Sequence, residues 1–163
     1  MASSPKPWRP DAMAFVYEQT LDIAAPAAVV WEVITDLPRY GEWNPFVSSC
    51  ASTLRPGDPI DMTVHLMKRP QQQREWISEY HEGRGFAYRM KPVPGGALSS
   101  ARWHDITPVD DGHCRYRSHF ELRGWLMPVV RGLLGARLRG GFAGMNGGVK
   151  ERAESLWAQR NPR

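Results

Sequence analysis

Between Phe15 and Gly124 the chain alternates apolar and polar residues in short runs parted by turn-forming clusters; beyond Pro128 the period lengthens to three or four. The cleanest alternation sets Ile60, Met62, Val64 and Leu66 against Asp61, Thr63 and His65, which predicts a strand over 60–67 with one buried face. Similar runs predict strands at 15–23, 46–53, 72–80 (weakly alternating), 86–90, 98–108 and 113–124. Arg55-Pro56-Gly57-Asp58-Pro59, Glu82-Gly83-Arg84-Gly85 and Asp110-Asp111-Gly112 supply turns. Seven strands with short connections imply an antiparallel, meander-like sheet.

Two helical regions break this pattern. Pro26 suits the first turn of a helix, where its missing N–H costs nothing, and Val29, Val30, Val33 and Ile34 form an apolar stripe that Asp36 and Pro38 stop. Leu37 to Trp43 reads as a second short helix or turn, after which Asn44-Pro45 forces extended backbone. The tail from about Pro128 to Trp157 carries Leu134, Leu138, Phe142, Met145, Val149 and Leu156 at helical spacing. Gly140, Gly141, Gly144, Gly147 and Gly148 cluster on one flank of it, at a cost of about 0.5–1 kcal/mol each relative to Ala. Two readings follow: a kinked or frayed helix, or small residues that leave room for a ligand or for close packing of another surface. The expected fold class is α+β, a seven-stranded antiparallel sheet around a long C-terminal helix with two short helices after the first strand. A long helix across a curved sheet leaves space between them, which points to binding of a small apolar molecule.

Composition narrows the partners. A chain of 163 residues, 42% hydrophobic and 23% charged, can bury one core without disulfides or metals. The expected organisation is a flexible leader at 1–12, rich in Ser, Pro and charge, one domain at 13–158 and a flexible tail at 159–163. The net charge of +4 comes from scattered basic residues with no RNA- or DNA-binding motif, so nucleic acid is not expected as a partner. Cys50 and Cys114 are far apart and outside any CxxC arrangement, and no signal peptide is evident. They read as reduced, buried thiols in a cytoplasmic protein, monomeric or homodimeric. No apolar run approaches the ~18 residues of a transmembrane helix, so stable membrane insertion is not expected either.

Ala25-Pro26 through Trp31 and Asp36, followed by Tyr40-Gly41-Glu42-Trp43-Asn44-Pro45, resembles the SRPBCC superfamily of START-like, helix-grip proteins. Within it the chain is most similar to the polyketide cyclase/dehydrase and lipid transport group, over roughly residues 13–157. Supporting matches are Gly57-Asp58, the strand Arg102-x-His104-x-Ile106-x-Pro108 and Gly124. The resemblance implies a sheet gripping the terminal helix with a pocket between them. It also implies a range of activities, from aromatase/cyclases to lipid carriers and chaperone co-activators, among which the fold does not choose.

No nucleophile elbow, zinc-protease motif, phosphate loop or metal spacing appears, and neither cofactor nor metal is expected. The strand around His104 is the exception to watch. If Ile106 points inward, so do His104 and Arg102; the opposite parity buries Trp103 and puts His104 in solvent. Family members usually carry an aromatic where His104 stands. The candidate ligand-binding set is Trp43, Phe46, Met62, Val64, Tyr88, Met90, His104, Phe120, Leu138, Phe142 and Met145. His104 and Arg102 are the candidate catalytic pair for polarising a carbonyl. Trp43 is also expected to tie the short helices to the sheet. The leading expectation is a carrier or binder of a small hydrophobic molecule. The alternatives are a cyclase or aromatase-like enzyme using the same pocket, and a protein-partner or co-chaperone-like module.

Overall fold

The computed structural model describes residues 14–162, so the leader expected at 1–12 lies outside the described residues. Strand β1 (Ala14–Ile23) leads into helix α1 (Ala27–Thr35), a 3-10 turn (Leu37–Arg39) and the one-turn helix α2 (Tyr40–Trp43). Six strands follow: β2 (Val47–Ser52), β3 (Pro59–Val64), β4 (Gln71–His81), β5 (Gly85–Arg89), β6 (Ser99–Asp110) and β7 (His113–Arg123). Helix α3 (Met127–Arg160) closes the chain. The strands form one antiparallel sheet in the order β1-β7-β6-β5-β4-β3-β2, a meander whose first strand returns beside the last.

Register breaks in β2, β4 and β6 bend the sheet over α3. The break between Ile77 and Glu79 also explains the weak alternation of β4, because it reverses the side-chain parity partway along the strand. Strand β3 ends at Val64, three residues short of the expected 67. The His65 N–H still donates to the Phe46 carbonyl, but the partner strand is preceded there by Pro45, which has no N–H to extend the ladder.

The Trp43-Asn44-Pro45 turn joins helices to sheet. Buried Asn44 accepts hydrogen bonds at Oδ1 from the Phe46 and Val47 N–H groups, at 3.0 and 2.9 Å, and so fixes the start of β2. The Tyr40 hydroxyl donates to the Ile34 carbonyl at 2.6 Å, which locks α2 under α1.

Helix α3 is continuous over 34 residues, about 51 Å at 1.5 Å per residue, so the glycines neither kink nor fray it. Their flank lies against the turn: a Cβ on Gly141 would strike the Phe46 ring, and one on Gly148 would sit 2.6 Å from the Trp43 carbonyl oxygen. Gly141, Gly144 and Gly148 therefore serve close packing of the Trp43–Phe46 segment, while a Cβ on Gly140 or Gly147 would meet nothing within 4 Å. The helix runs to Arg160, whose guanidinium forms a bidentate pair with Glu32 on α1 at 2.7 and 2.9 Å.

The core divides along the length of α3. Toward its C-terminal half, Met145, Val149 and Ala153 pack with the buried α1 stripe Val29, Val30, Val33 and Ile34. Toward its N-terminal half no second helix covers the sheet.

Candidate functional site: a cavity between sheet and terminal helix

Where α1 does not reach, the concave face of the sheet and the N-terminal half of α3 enclose a cavity of about 370 Å³. Nine of the eleven residues expected to bind a ligand line it: Phe46, Met62, Val64, Tyr88, Met90, Phe120, Leu138, Phe142 and Met145. Phe142 is the hub of the wall, with ring centroids 4.6 Å from Phe120 and 5.1 Å from Phe46. Leu66, Met90, Leu98, Val130 and Leu134, all half-buried, mark where the cavity reaches the surface.

Trp43 and His104 do not line this cavity. Trp43 sits behind the wall, its ring 5.0 Å from Tyr40 and its backbone against Gly148. His104 does face inward, at 1% exposure, so Arg102, His104 and Ile106 share the buried face and Trp103 the opposite one. Yet each two-residue step along a strand advances about 6.6 Å. That step carries the row from the cavity at Arg102 into solid core at His104, where Phe86 lies 4.8 Å away and the Tyr116 ring is stacked at 6.0 Å. His104 Nδ1 and the Tyr116 hydroxyl form a 2.6 Å hydrogen bond, and Nε2 is buried without a partner. Burial, and then the nearby Arg102 charge, hold the His104 pKa well below the usual histidine value. It is a neutral core residue paired with Tyr116.

Arg102 is the most deeply buried polar residue of the cavity lining. It is 2% exposed; its Nη2 lies 3.5 Å from the Met145 sulfur, and its guanidinium sits 4.3 Å above the Phe142 ring. Its Nε and Nη1 are buried without hydrogen-bond partners, and no carboxylate pairs with it among the described residues. A fixed cation in apolar surroundings with two unused donors has the chemistry to receive an anion or a carbonyl oxygen.

The sequence reading missed Glu75, which lines the same cavity from β4. Burial pushes its carboxyl up to about 7, while the Arg102 charge pulls the other way. No hydrogen bond or ion pair joins Glu75 to Arg102 among the described residues. The signal was available: counting back by twos from Ile77, the core residue of β4, reaches Glu75 and Gln73. Polar residues at both positions disguised the buried face. Leu66, Leu98, Leu122, Val130, Leu134 and Ser100 also line it and were missed, as were Val47, Gln73 and Arg74.

The described residues hold no cluster of three His, Cys, Asp or Glu side chains placed for a metal ion. Cys50 and Cys114 are free and buried, and burial pushes their thiols up to about 12 and about 11. No helix among the described residues is long and apolar enough to cross a membrane.

A meander sheet gripping one long helix around an apolar cavity defines a START-like helix-grip protein. The chain belongs to the family described as polyketide cyclase / dehydrase and lipid transport, whose model matches residues 14–154. No curated protein sequence matches it. Among solved structures it is similar to an aromatase/cyclase from Streptomyces sp. R1128, at 18% identity over 86% of this chain and 94% of that one, with a TM-score of 0.72. It is also similar to a norcoclaurine synthase point mutant from Thalictrum flavum in complex with a transition-state analogue, at 14% identity over 91% and 99%, TM-score 0.67. A START superfamily protein from Mycobacterium smegmatis matches at 16% identity over 86% and 98%, TM-score 0.66. At such identities the likeness establishes the fold.

Proposed function

We propose that the protein binds a small, mostly apolar molecule in this cavity and holds its one oxyanion or carbonyl group on Arg102. The observation that carries the reading is the buried guanidinium with two unpartnered nitrogens at an apolar wall. Without a ligand oxygen, that arrangement carries a net cost in stability. The size suits a compact ligand, since 370 Å³ lies near the lower end of small-molecule sites. Titration with 1-anilinonaphthalene-8-sulfonate, an aromatic anion that fluoresces in apolar surroundings, tests it. Wild type gives saturable binding, and Arg102→Met weakens it by about 10–100-fold, the value of a charge-assisted hydrogen bond. Equal affinity of the two proteins refutes the anchor.

Glu75 favours a second reading, in which the cavity catalyses cyclase-like chemistry. A carboxylate titrating near neutrality can take a proton from the carbon beside a carbonyl. The C–H electron pair then moves to the carbonyl oxygen, where Arg102 stabilises the enolate. Deuterium exchange from solvent into a 1,3-diketone, followed by NMR, reads this step. Exchange faster than in buffer that is lost in Glu75→Gln supports the reading; exchange unchanged in that variant removes it.

A further inference from the structure

Three segments meet where the cavity reaches the surface: the β3–β4 loop (65–70), the β5–β6 loop (90–98) and the start of α3 with the residues before it (124–141). Each contributes lining to the cavity, through Leu66, through Met90 and Leu98, and through Val130, Leu134 and Leu138. The Trp125 and Leu126 N–H groups bind the second loop to the third segment, donating to the Gly96 and Ala97 carbonyls at 3.3 and 3.0 Å. Gly124 permits this approach: its φ is +119°, and a Cβ there would collide with the Ala97 carbonyl.

Two properties single out this rim. Of the seven large hydrophobic residues the described chain exposes, five lie in these segments: Met67, Val93, Trp125, Val129 and Leu133, from 37% to 75% exposed. Val129 and Leu133 are one helical turn apart, one row outward from the cavity-lining Val130 and Leu134. The segments also carry Lys68, Arg69, Lys91, Arg131, Arg137 and Arg139 and none of the seventeen acidic residues. None of these six cations forms an ion pair among the described residues, although the Arg139 guanidinium lies 4.8 Å over the Phe15 ring. Elsewhere Arg39, Arg74, Arg115, Arg117, Lys150, Arg152 and Arg160 pair with carboxylates, and only Arg55, Arg84 and Arg89 join buried Arg102 without an ion pair among the described residues.

We propose that this rim is a docking surface for anionic lipid bilayers, which seats the cavity mouth on the membrane. Exposed aliphatic and indole side chains match the acyl–headgroup boundary, and unpaired cations around them match acidic headgroups. A bilayer satisfies both at once over three separate segments, and it is a reservoir of the apolar molecules such a cavity admits. The docking is peripheral, since no described helix is long and apolar enough to span. The inference goes beyond the cavity reading and does not depend on Arg102 or on the ligand.

Co-sedimentation of the full chain with phosphatidylcholine vesicles, with and without 30% phosphatidylglycerol, is the test. Binding is expected only to the anionic vesicles and is expected to fall as salt rises. Lys68→Gln with Arg137→Gln should weaken it by about fivefold per cation removed, and Trp125→Ser with Leu133→Ser by about tenfold or more. Val109→Ser, which removes an exposed apolar residue at the far end of β6, should leave it unchanged. All these side chains are exposed, and unchanged melting temperatures will show that the variants fold. No binding to either vesicle, equal binding to both, or binding indifferent to the rim variants overturns the proposal. So does light scattering that shows a dimer broken by Leu133→Ser, because the face would then be a subunit interface.

Discussion

Replacing Arg102 with Met should make the protein more stable. The guanidinium is 2% exposed and has no carboxylate partner, so folding strips it of water without returning a full set of hydrogen bonds. An unpaired buried ion carries a penalty of several kcal/mol in real proteins. Two contacts offset part of it: the Phe142 ring 4.3 Å below, worth about 2 kcal/mol at a desolvated site, and the weak donor contact to the Met145 sulfur. The nearby mouth, lined by half-buried Val130 and Leu134, lowers the penalty further. Met fills similar volume against Phe142 and Met145 without charge, so the net gain should be about 1–2 kcal/mol. For a domain of this size that is a rise in melting temperature of about 2–8 °C. Differential scanning calorimetry of both proteins in ligand-free buffer is the assay, with urea unfolding as a second measure. A variant destabilised by more than about 1 kcal/mol refutes the reasoning, because Arg102 would then be a satisfied structural cation.

Glu75→Gln should stabilise the protein progressively as pH rises. With its folded pKa raised from 4.5 to about 7, the wild type binds more protons than the unfolded chain in that window, loses stability across it and is level above it. The variant should gain about 1–3 kcal/mol on wild type between pH 4.5 and 7, measured by urea unfolding; a pH-independent difference shows a solvated carboxylate. His104 acts with the opposite sign, because a lowered folded pKa means that the unfolded chain takes up the proton first and stability falls as pH drops below about 6.5. His104→Phe should flatten that acid-side loss, stay within about 1 kcal/mol of wild type at pH 8 and leave anilinonaphthalenesulfonate binding unchanged; weakened binding would place the ring at the site after all. Gly140→Ala, where a Cβ meets nothing within 4 Å, should add about 0.5–1 kcal/mol. Gly148→Ala, 2.6 Å from the Trp43 carbonyl, should destabilise instead, and calorimetry showing equal gains would mean that the turn does not pack there.

Much of this protein is written locally. The period-2 runs placed all seven strands, because a half-buried strand must alternate whatever its partners are. Pro26 and the Val29–Ile34 stripe placed α1. Asn44-Pro45 marked the turn through two backbone facts, a side chain that caps β2 and a residue with no N–H. The apolar walls Phe46, Met62, Tyr88, Phe120 and Phe142 followed from which face each run had to bury.

What lies above each buried face was decided only by tertiary structure. Arg102 and His104 have the same parity on one strand. One meets a cavity and the other solid core, because α1, some seventy residues earlier, covers only one end of the sheet. Glu75 escaped notice because polar side chains at buried positions look like an exposed face until the opposite wall is known. Gly141 and Gly148, expensive by propensity, make sense only against Phe46 and Trp43, which no spacing within the helix reveals. Local periodicity fixes the direction of a side chain. Its surroundings are set by elements remote in sequence, and those surroundings separate a core histidine from a cavity-lining arginine.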